Sequence, residues 1–276
     1  MIHLSAFADE ISEDPAEQMD VLKSLAIHHI EFRSILGLNV LDLDDAQHEA
    51  FRELLKARRF TLSAIGSPIG KIKITDPFEP HLERFDRALE LADFYSCPRI
   101  RIFSYYIPEG DAPEPHRDEV MRRMAEKARI AEGRGVSLLL ENEKGIYGDT
   151  AARVSDILET VNSPSLSHAF DPANYLEVGQ GIDEAWALLR PRVTHFHVKD
   201  YVSLTRSIVP CGKGDGQIAR LIADAVAHGY SGYAVLEPHL KVAAAMYGFT
   251  GPEKFGEAAR ALQDSLRSAG VPFDGP

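Results

Sequence analysis

One pattern constrains this chain more than any other. Short β-type runs alternate with longer stretches that carry apolar residues at helical spacing, from one end to the other. The predicted strands are 2–7, 29–33, 61–65, 99–103, 136–141, 166–171, 193–198 and 233–237. Between them run amphipathic patterns such as Met19, Leu22, Leu25, Ala26 and Phe85, Leu89, Ala92. Others are Val120, Met124, Ala128, Ala131; Val154, Ile157, Leu158, Val161; Trp186, Leu189; Ile218, Leu221, Ile222, Val226; and Phe255, Ala259, Leu262, Leu266. Strand–helix alternation implies parallel strands joined by helical crossovers. Eight such strands in 276 residues, without a linker or a composition break, predict a closed (β/α)8 TIM barrel forming a single domain over 1–276. An open dinucleotide-binding sheet is disfavoured, because the first βα turn lacks Gly-x-Gly-x-x-Gly.

Composition narrows the function. A net charge of −12 argues against a nucleic-acid partner, since phosphate binding needs clustered Lys and Arg. Two cysteines, Cys97 and Cys211, build neither a disulfide framework nor a zinc ribbon. The N-terminus has no basic region followed by a long apolar run, and no apolar stretch is long enough to span a bilayer. The expectation is a cytoplasmic protein with no membrane partner.

Three connections are long: 66–78, 104–115 and 200–217. Each follows a strand, so a barrel places all of them on its C-terminal rim, where barrel active sites are built. Four potential metal ligands end four successive apolar runs there. They are Glu141, Asp171, His197 and Glu237. A lone carboxylate at a strand end is usually a salt-bridge partner or a helix N-cap. Three carboxylates on neighbouring strands repel one another unless a cation sits among them. Oxygen donors with one imidazole suit Mn²⁺ first, with Mg²⁺, Co²⁺ and Zn²⁺ also compatible. A metal with open positions polarises a substrate carbonyl.

Five other residues are candidate substrate contacts. Lys199 shares a strand face with His197. Lys213 stands between Gly212 and Gly214, whose backbone N–H groups can approach an oxyanion. His239 follows Glu237-Pro238, Glu143 shares parity with Glu141, and Arg33 closes the second strand. The bland alternatives are a rim Lys–Asp pair, a surface loop, a solvated histidine and salt bridges.

Leu140-Glu-Asn-Glu, Phe170-Asp-Pro-Ala-Asn, His195-Phe-His-Val-Lys-Asp, Pro210-Cys-Gly-Lys-Gly-Asp-Gly and Leu236-Glu-Pro-His follow one another at barrel spacing. In these segments the chain resembles the xylose-isomerase-like TIM barrel superfamily, in its sugar phosphate isomerase/epimerase branch. The resemblance covers nearly the whole chain. It implies a metal held by Glu141, Asp171, His197 and Glu237, with Glu141 and Glu237 also acting as the acid/base pair on opposite faces of a keto sugar. Asn174 stands where the ketose 3-epimerases usually carry a His, and is taken as a substrate-binding position. Val-Lys-Asp after His197 matches the isomerase and inosose-dehydratase-like members instead.

The leading expectation is a metal-dependent isomerase or epimerase that abstracts a proton next to a metal-polarised carbonyl of a keto sugar or polyol, with a small-molecule carbohydrate as its partner. The close alternative is a dehydratase or β-eliminating lyase on a keto-inositol, a dehydroshikimate-like compound or a 3-keto-glycoside. An endonuclease-IV-like phosphodiesterase and a non-catalytic binder are the remoter readings. The resemblance also implies that a homo-oligomer is common in this branch.

Overall fold

A computed structural model describes residues 1–240 and 250–275. Eight parallel strands form the closed barrel that the alternation predicts. They are β1 (Ile2–Ala6), β2 (His29–Phe32), β3 (Thr61–Ile65), β4 (Arg99–Ile102), β5 (Ser137–Glu141), β6 (Leu166–Phe170), β7 (Val193–Val198) and β8 (Gly232–Leu236). Their order around the sheet is β1-β8-β7-β6-β5-β4-β3-β2. Each boundary falls within a residue or two of the position read from sequence. The two strand-end carboxylates, Asp171 and Glu237, lie one residue beyond their strands rather than within them.

The helices are α1 (Pro15–Ser24), α2 (Asp45–Arg58), α3 (Glu79–Phe94), α4 (Arg117–Gly133), α5 (Ala151–Val161), α6 (Pro172–Glu177), α7 (Ile182–Leu189), α8 (Ile218–Ala227) and α9 (Pro252–Ser268). Helix α2 is absent from the amphipathic stretches predicted above. Its buried face is thin, with His48, Phe51 and Leu55, and its start is fixed by a capping box between Asp44 and Gln47 rather than by apolar periodicity. None of the described helices is long and apolar enough to cross a membrane.

The chain divides into two compact units. The first comprises Met1–Ser63 and His195–Pro276. In it, β8 pairs with β1 from Ile2↔Gly232 to Ala6↔Leu236, and with β7 from Tyr233↔His195 to Leu236↔Val198. Helix α9 buries Phe255, Ala259, Leu262 and Leu266, each large side chain contributing about 1.5–3 kcal/mol. The second unit is Ala64–Thr194. There β4, β5 and β6 pair in register, with Arg101↔Leu139 and Glu141↔Ala169. Ala64, Leu139 and Ala169 form a small buried apolar cluster.

One buried group in the second unit has a predictable cost. Lys127 of α4 is fully buried, with Nζ 4.5 Å from the Tyr105 ring centroid and no hydrogen-bond acceptor among the described residues. Burial, and then the charge of Arg123, pushes its pKa down to about 7. The unfolded chain holds this proton up to about 10.5, so the folded state binds fewer protons between those values and gains stability as pH rises through that window. Lys127→Met is therefore expected to raise stability at pH 7 by on the order of a few kcal/mol and to flatten the rise above it. Urea unfolding at pH 7 and pH 9.5 measures both effects.

Candidate metal and acid–base site

The first unit brings together more of the expected residues than sequence alone could connect. Val235 pairs with His197, and the Glu237 N–H donates to the Val198 carbonyl at 3.1 Å. This fixes the ends of β7 and β8 side by side. His197 is fully buried, and its Nε2 lies 3.3 Å from Glu31 Oε2 on β2. His195, two residues earlier on the same face, puts its Nε2 2.7 Å from the same oxygen. Burial alone would raise the Glu31 pKa, but the charges of His197 and His195 outweigh it and hold the carboxylate well below its usual range. Glu31 thus fixes the orientation of the His197 imidazole through Nε2, as a carboxylate behind a metal-ligating histidine would.

Glu237 is likewise buried. Its Oε1 accepts from Arg33 Nη1 at 2.8 Å and lies 3.4 Å from His239 Nε2. Its Oε2 lies 3.7 Å from Lys199 Nζ and accepts no hydrogen bond among the described residues. Burial would raise this carboxyl too, yet Lys199, His239 and Arg33 together keep it ionised, well below the usual range. Arg33 also donates from Nε to Asp9 at 2.7 Å and faces Glu10 at 3.9 Å. The guanidinium expected to meet substrate thus stands among three carboxylates of its own chain. Glu10 is pushed up to about 7, chiefly by burial, and lies 3.2 Å from His239 Nε2.

The glycine-rich connection differs from its sequence reading. The N–H groups of Gly212, Gly214 and Gly216 all donate to the carboxylate of Asp200, at 2.8–3.1 Å. The anion they cradle is internal. A Cβ on Gly214 would lie 2.4 Å from Asp200 Oδ1, which explains the glycine there. Lys213 itself is exposed. The connection also holds a short hairpin, Asp200–Val202 with Ser207–Val209, that apolar periodicity did not reveal.

In the second unit, Glu141 closes β5 and is buried against Arg101 of β4, whose Nη1 donates to Glu141 Oε2 at 3.2 Å. Arg101 Nη2 donates to the Gly66 carbonyl at 3.1 Å, which ties this pair to the start of the connection after β3. Asp171 follows β6 and caps α6, with Oδ1 accepting from the Asn174 N–H at 3.0 Å. Asn142 bridges the two strand ends. It donates to the Asp171 carbonyl at 2.9 Å and accepts from the Asp171 N–H at 3.0 Å. The Asn174 side chain donates to the Asn142 carbonyl at 2.9 Å, so it props the same strand ends. Glu143 lies 3.0 Å from Lys71 Nζ.

Glu31, Asn142, Lys71, Asp9 and Glu10 were not assigned to the site from sequence. For Glu31 a signal existed: an acid inside an apolar β run, His29-Ile-Glu-Phe, must be paired if it points inward.

The sequence matches the family model of the xylose isomerase-like TIM barrel over residues 19–265. This chain belongs to the xylose isomerase-like TIM barrel family. Among curated proteins it is similar to a 3-dehydroshikimate dehydratase of Bacillus anthracis, 24% identical over 132 residues. That match spans about half of each protein, 48% of this chain and 47% of the relative. Among solved structures, it shares the fold of a D-tagatose 3-epimerase-like protein with a TM-score of 0.79, 16% identity and 98% coverage of both chains. It also shares the fold of a xylose isomerase-like TIM barrel protein from Mycobacterium smegmatis in complex with magnesium. There the TM-score is 0.71, with 19% identity and 97% coverage of both chains. Barrels of this family, like other (β/α)8 enzymes, present their chemistry at the C-terminal ends of strands, where Glu141, Asp171, His197 and Glu237 lie.

Proposed function

We propose that this protein is a divalent-metal-dependent enzyme that removes a proton next to a carbonyl of a small keto sugar or polyol and returns it, as an isomerase or epimerase. One observation carries the reading. Four consecutive barrel strands, β5 to β8, end in Glu141, Asp171, His197 and Glu237, and all four are buried residues of metal-ligating type. Burying three carboxylates on neighbouring strands is costly without a cation to balance them.

The residues fit such an ion. Glu237 keeps one buried oxygen that accepts no hydrogen bond among the described residues. His197 is oriented by Glu31 through Nε2. Three oxygens and one nitrogen favour Mn²⁺, with Mg²⁺ or Co²⁺ next. When bound, the metal supplies a Lewis acid for a substrate carbonyl.

The protein's own residues then set the proton chemistry. Lys199, His239 and Arg33 keep Glu237 in the ionised form that a base requires, and Arg101 donates a hydrogen bond to Glu141. One carboxylate takes the proton from the carbon beside the carbonyl. The other takes a proton from solvent and delivers it to the opposite face. Lys199 and His239 flank Glu237 and can hold substrate oxygens or relay its proton. Two buried thiols, Cys97 and Cys211, accord with action in the cytoplasm.

A second reading, a dehydratase or β-eliminating lyase, rests on a specific feature. Elimination needs an acid beside the base, and buried Lys199 stands 3.7 Å from Glu237. The sequence match to a dehydratase points the same way. Both readings share the first proton transfer, so one experiment tests them together. Mn²⁺-loaded protein is incubated in D₂O with ketoses, keto-inositols and 3-keto-glycosides, and the carbon beside the carbonyl is followed by NMR. Metal-dependent deuterium uptake in one class is expected. Retention of the carbon skeleton and hydroxyls identifies isomerisation, and loss of water or an alcohol identifies elimination. Stoichiometric metal with no uptake across the panel overturns the proposal.

A further inference from the structure

At the N-terminal ends of β1 and β2, away from the strand ends described above, a second cluster of ligating side chains stands on its own. His3 of β1, His29 of β2 and Asp274 of the C-terminal tail place one ligand atom each within 4.8 Å of the others. We propose that these three residues form a transition-metal site, for Zn²⁺, Co²⁺ or Ni²⁺, that clasps the C-terminal tail to the barrel. This inference does not rest on the proposed catalytic reading.

The geometry is that of a prepared site. Asp274 Oδ2 lies 2.7 Å from His3 Nδ1 and 3.3 Å from His29 Nε2. The far atoms of two ligands are already occupied. His29 Nδ1 is 2.7 Å from Thr61 Oγ1, and Asp274 Oδ1 accepts from the Leu4 N–H at 2.7 Å. Those contacts leave His29 Nε2 and Asp274 Oδ2 as the inward-facing atoms. A partner that fixes the outer nitrogen of an imidazole is the usual support of a metal-ligating histidine. The rings of His3 and His29 meet edge to face at 5.5 Å, and both pack on Tyr233, at 5.6 and 5.2 Å, which restrains their rotation.

The backbone holds the third ligand in place. Ile2 N–H donates to the Pro272 carbonyl at 3.1 Å, and Asp274 N–H returns to the Ile2 carbonyl at 2.9 Å. The tail is thus laid beside β1 through a single parallel bridge, with Ile2 opposite Phe273. All three ligands are partly exposed, so water has access to the remaining coordination positions. Two imidazoles and one carboxylate suit borderline ions, whereas Mg²⁺ prefers oxygen alone. The donor set is therefore different in kind from the oxygen-rich set of Glu141, Asp171, His197 and Glu237. Both imidazoles share one carboxylate oxygen, Asp274 Oδ2.

The test uses the full chain stripped with a chelator. Zn²⁺ stoichiometry is measured by equilibrium dialysis, Co²⁺ binding by visible absorption, and tail protection by hydrogen exchange over residues 271–274. The wild type is expected to bind one more equivalent than His3→Ala or Asp274→Asn, and to slow exchange of the tail on loading. Thr61→Val, which removes the support and keeps the ligands, should weaken that equivalent by roughly 10- to 100-fold. Asp274→His restores a ligand and should recover binding, which separates lost ligation from a disturbed tail. Equal stoichiometry in wild type, His3→Ala and Asp274→Asn overturns the proposal. So does Zn²⁺ binding that leaves tail exchange unchanged.

Discussion

Glu237→Gln and Glu141→Gln are each expected to lower the rate of deuterium exchange into substrate by about 10²–10⁴-fold, the usual worth of a positioned acid or base. Both should also weaken the divalent metal by at least about tenfold, because each removes an anionic oxygen from the proposed ligand set. The two readouts separate the roles. A variant that recovers metal occupancy at high Mn²⁺ yet stays slow has lost proton transfer as well as affinity. The changes keep the shape of each side chain, and Arg33 retains Asp9 as a partner when Glu237 is neutral. Arg101 likewise retains the Gly66 carbonyl when Glu141 is neutral. Isothermal titration of Mn²⁺ with the NMR exchange assay supplies both numbers. Exchange within threefold of wild type in either variant would remove that residue from the acid/base pair.

Glu31→Ala is expected to cost metal-free protein about 3–5 kcal/mol, the penalty for breaking a buried, paired charge. It leaves His195 and His197 without the carboxylate that both face at full burial. Glu31→Gln keeps the shape and should cost less, while weakening Mn²⁺ binding by about 10- to 100-fold through loss of support to His197. The sign with pH follows from the direction of the shift. Glu31 is held well below the usual carboxylate range, so its contribution is present above the unfolded value near 4.5 and fades as pH falls through the folded one. Wild-type stability should therefore decline in acid more steeply than that of Glu31→Gln. Urea midpoints from pH 7 down to pH 3 measure it. Parallel curves would show that Glu31 is not the group that carries this part of the acid sensitivity.

Part of this protein can be read along the chain. The eight strands are local patterns, since an apolar run of about five residues between amphipathic stretches needs no tertiary knowledge to detect. The positions of Glu141, Asp171, His197 and Glu237 are legible for the same reason, because each lies at a strand end that the pattern locates. Helix α2 was not, because an N-terminal capping box and a few buried residues carry it. The hairpin after β7 was hidden by its shortness.

What escaped sequence reasoning is the pairing of charges. Glu31 and His197 are 166 positions apart in the chain, and Arg33 and Glu237 are 204 apart. Asp274 meets His3 across 271. Neither periodicity nor local spacing carries information at such separations. The glycines after β7 illustrate the limit. Their type announces that backbone N–H groups approach an anion, and the sequence cannot say that the anion is Asp200. The sequence determined the barrel and which side chains stand at its strand ends, because those follow from local hydrophobic pattern. Only the tertiary structure decided which cation neutralises which carboxylate, because that depends on side chains brought within a few ångströms by closure of the sheet.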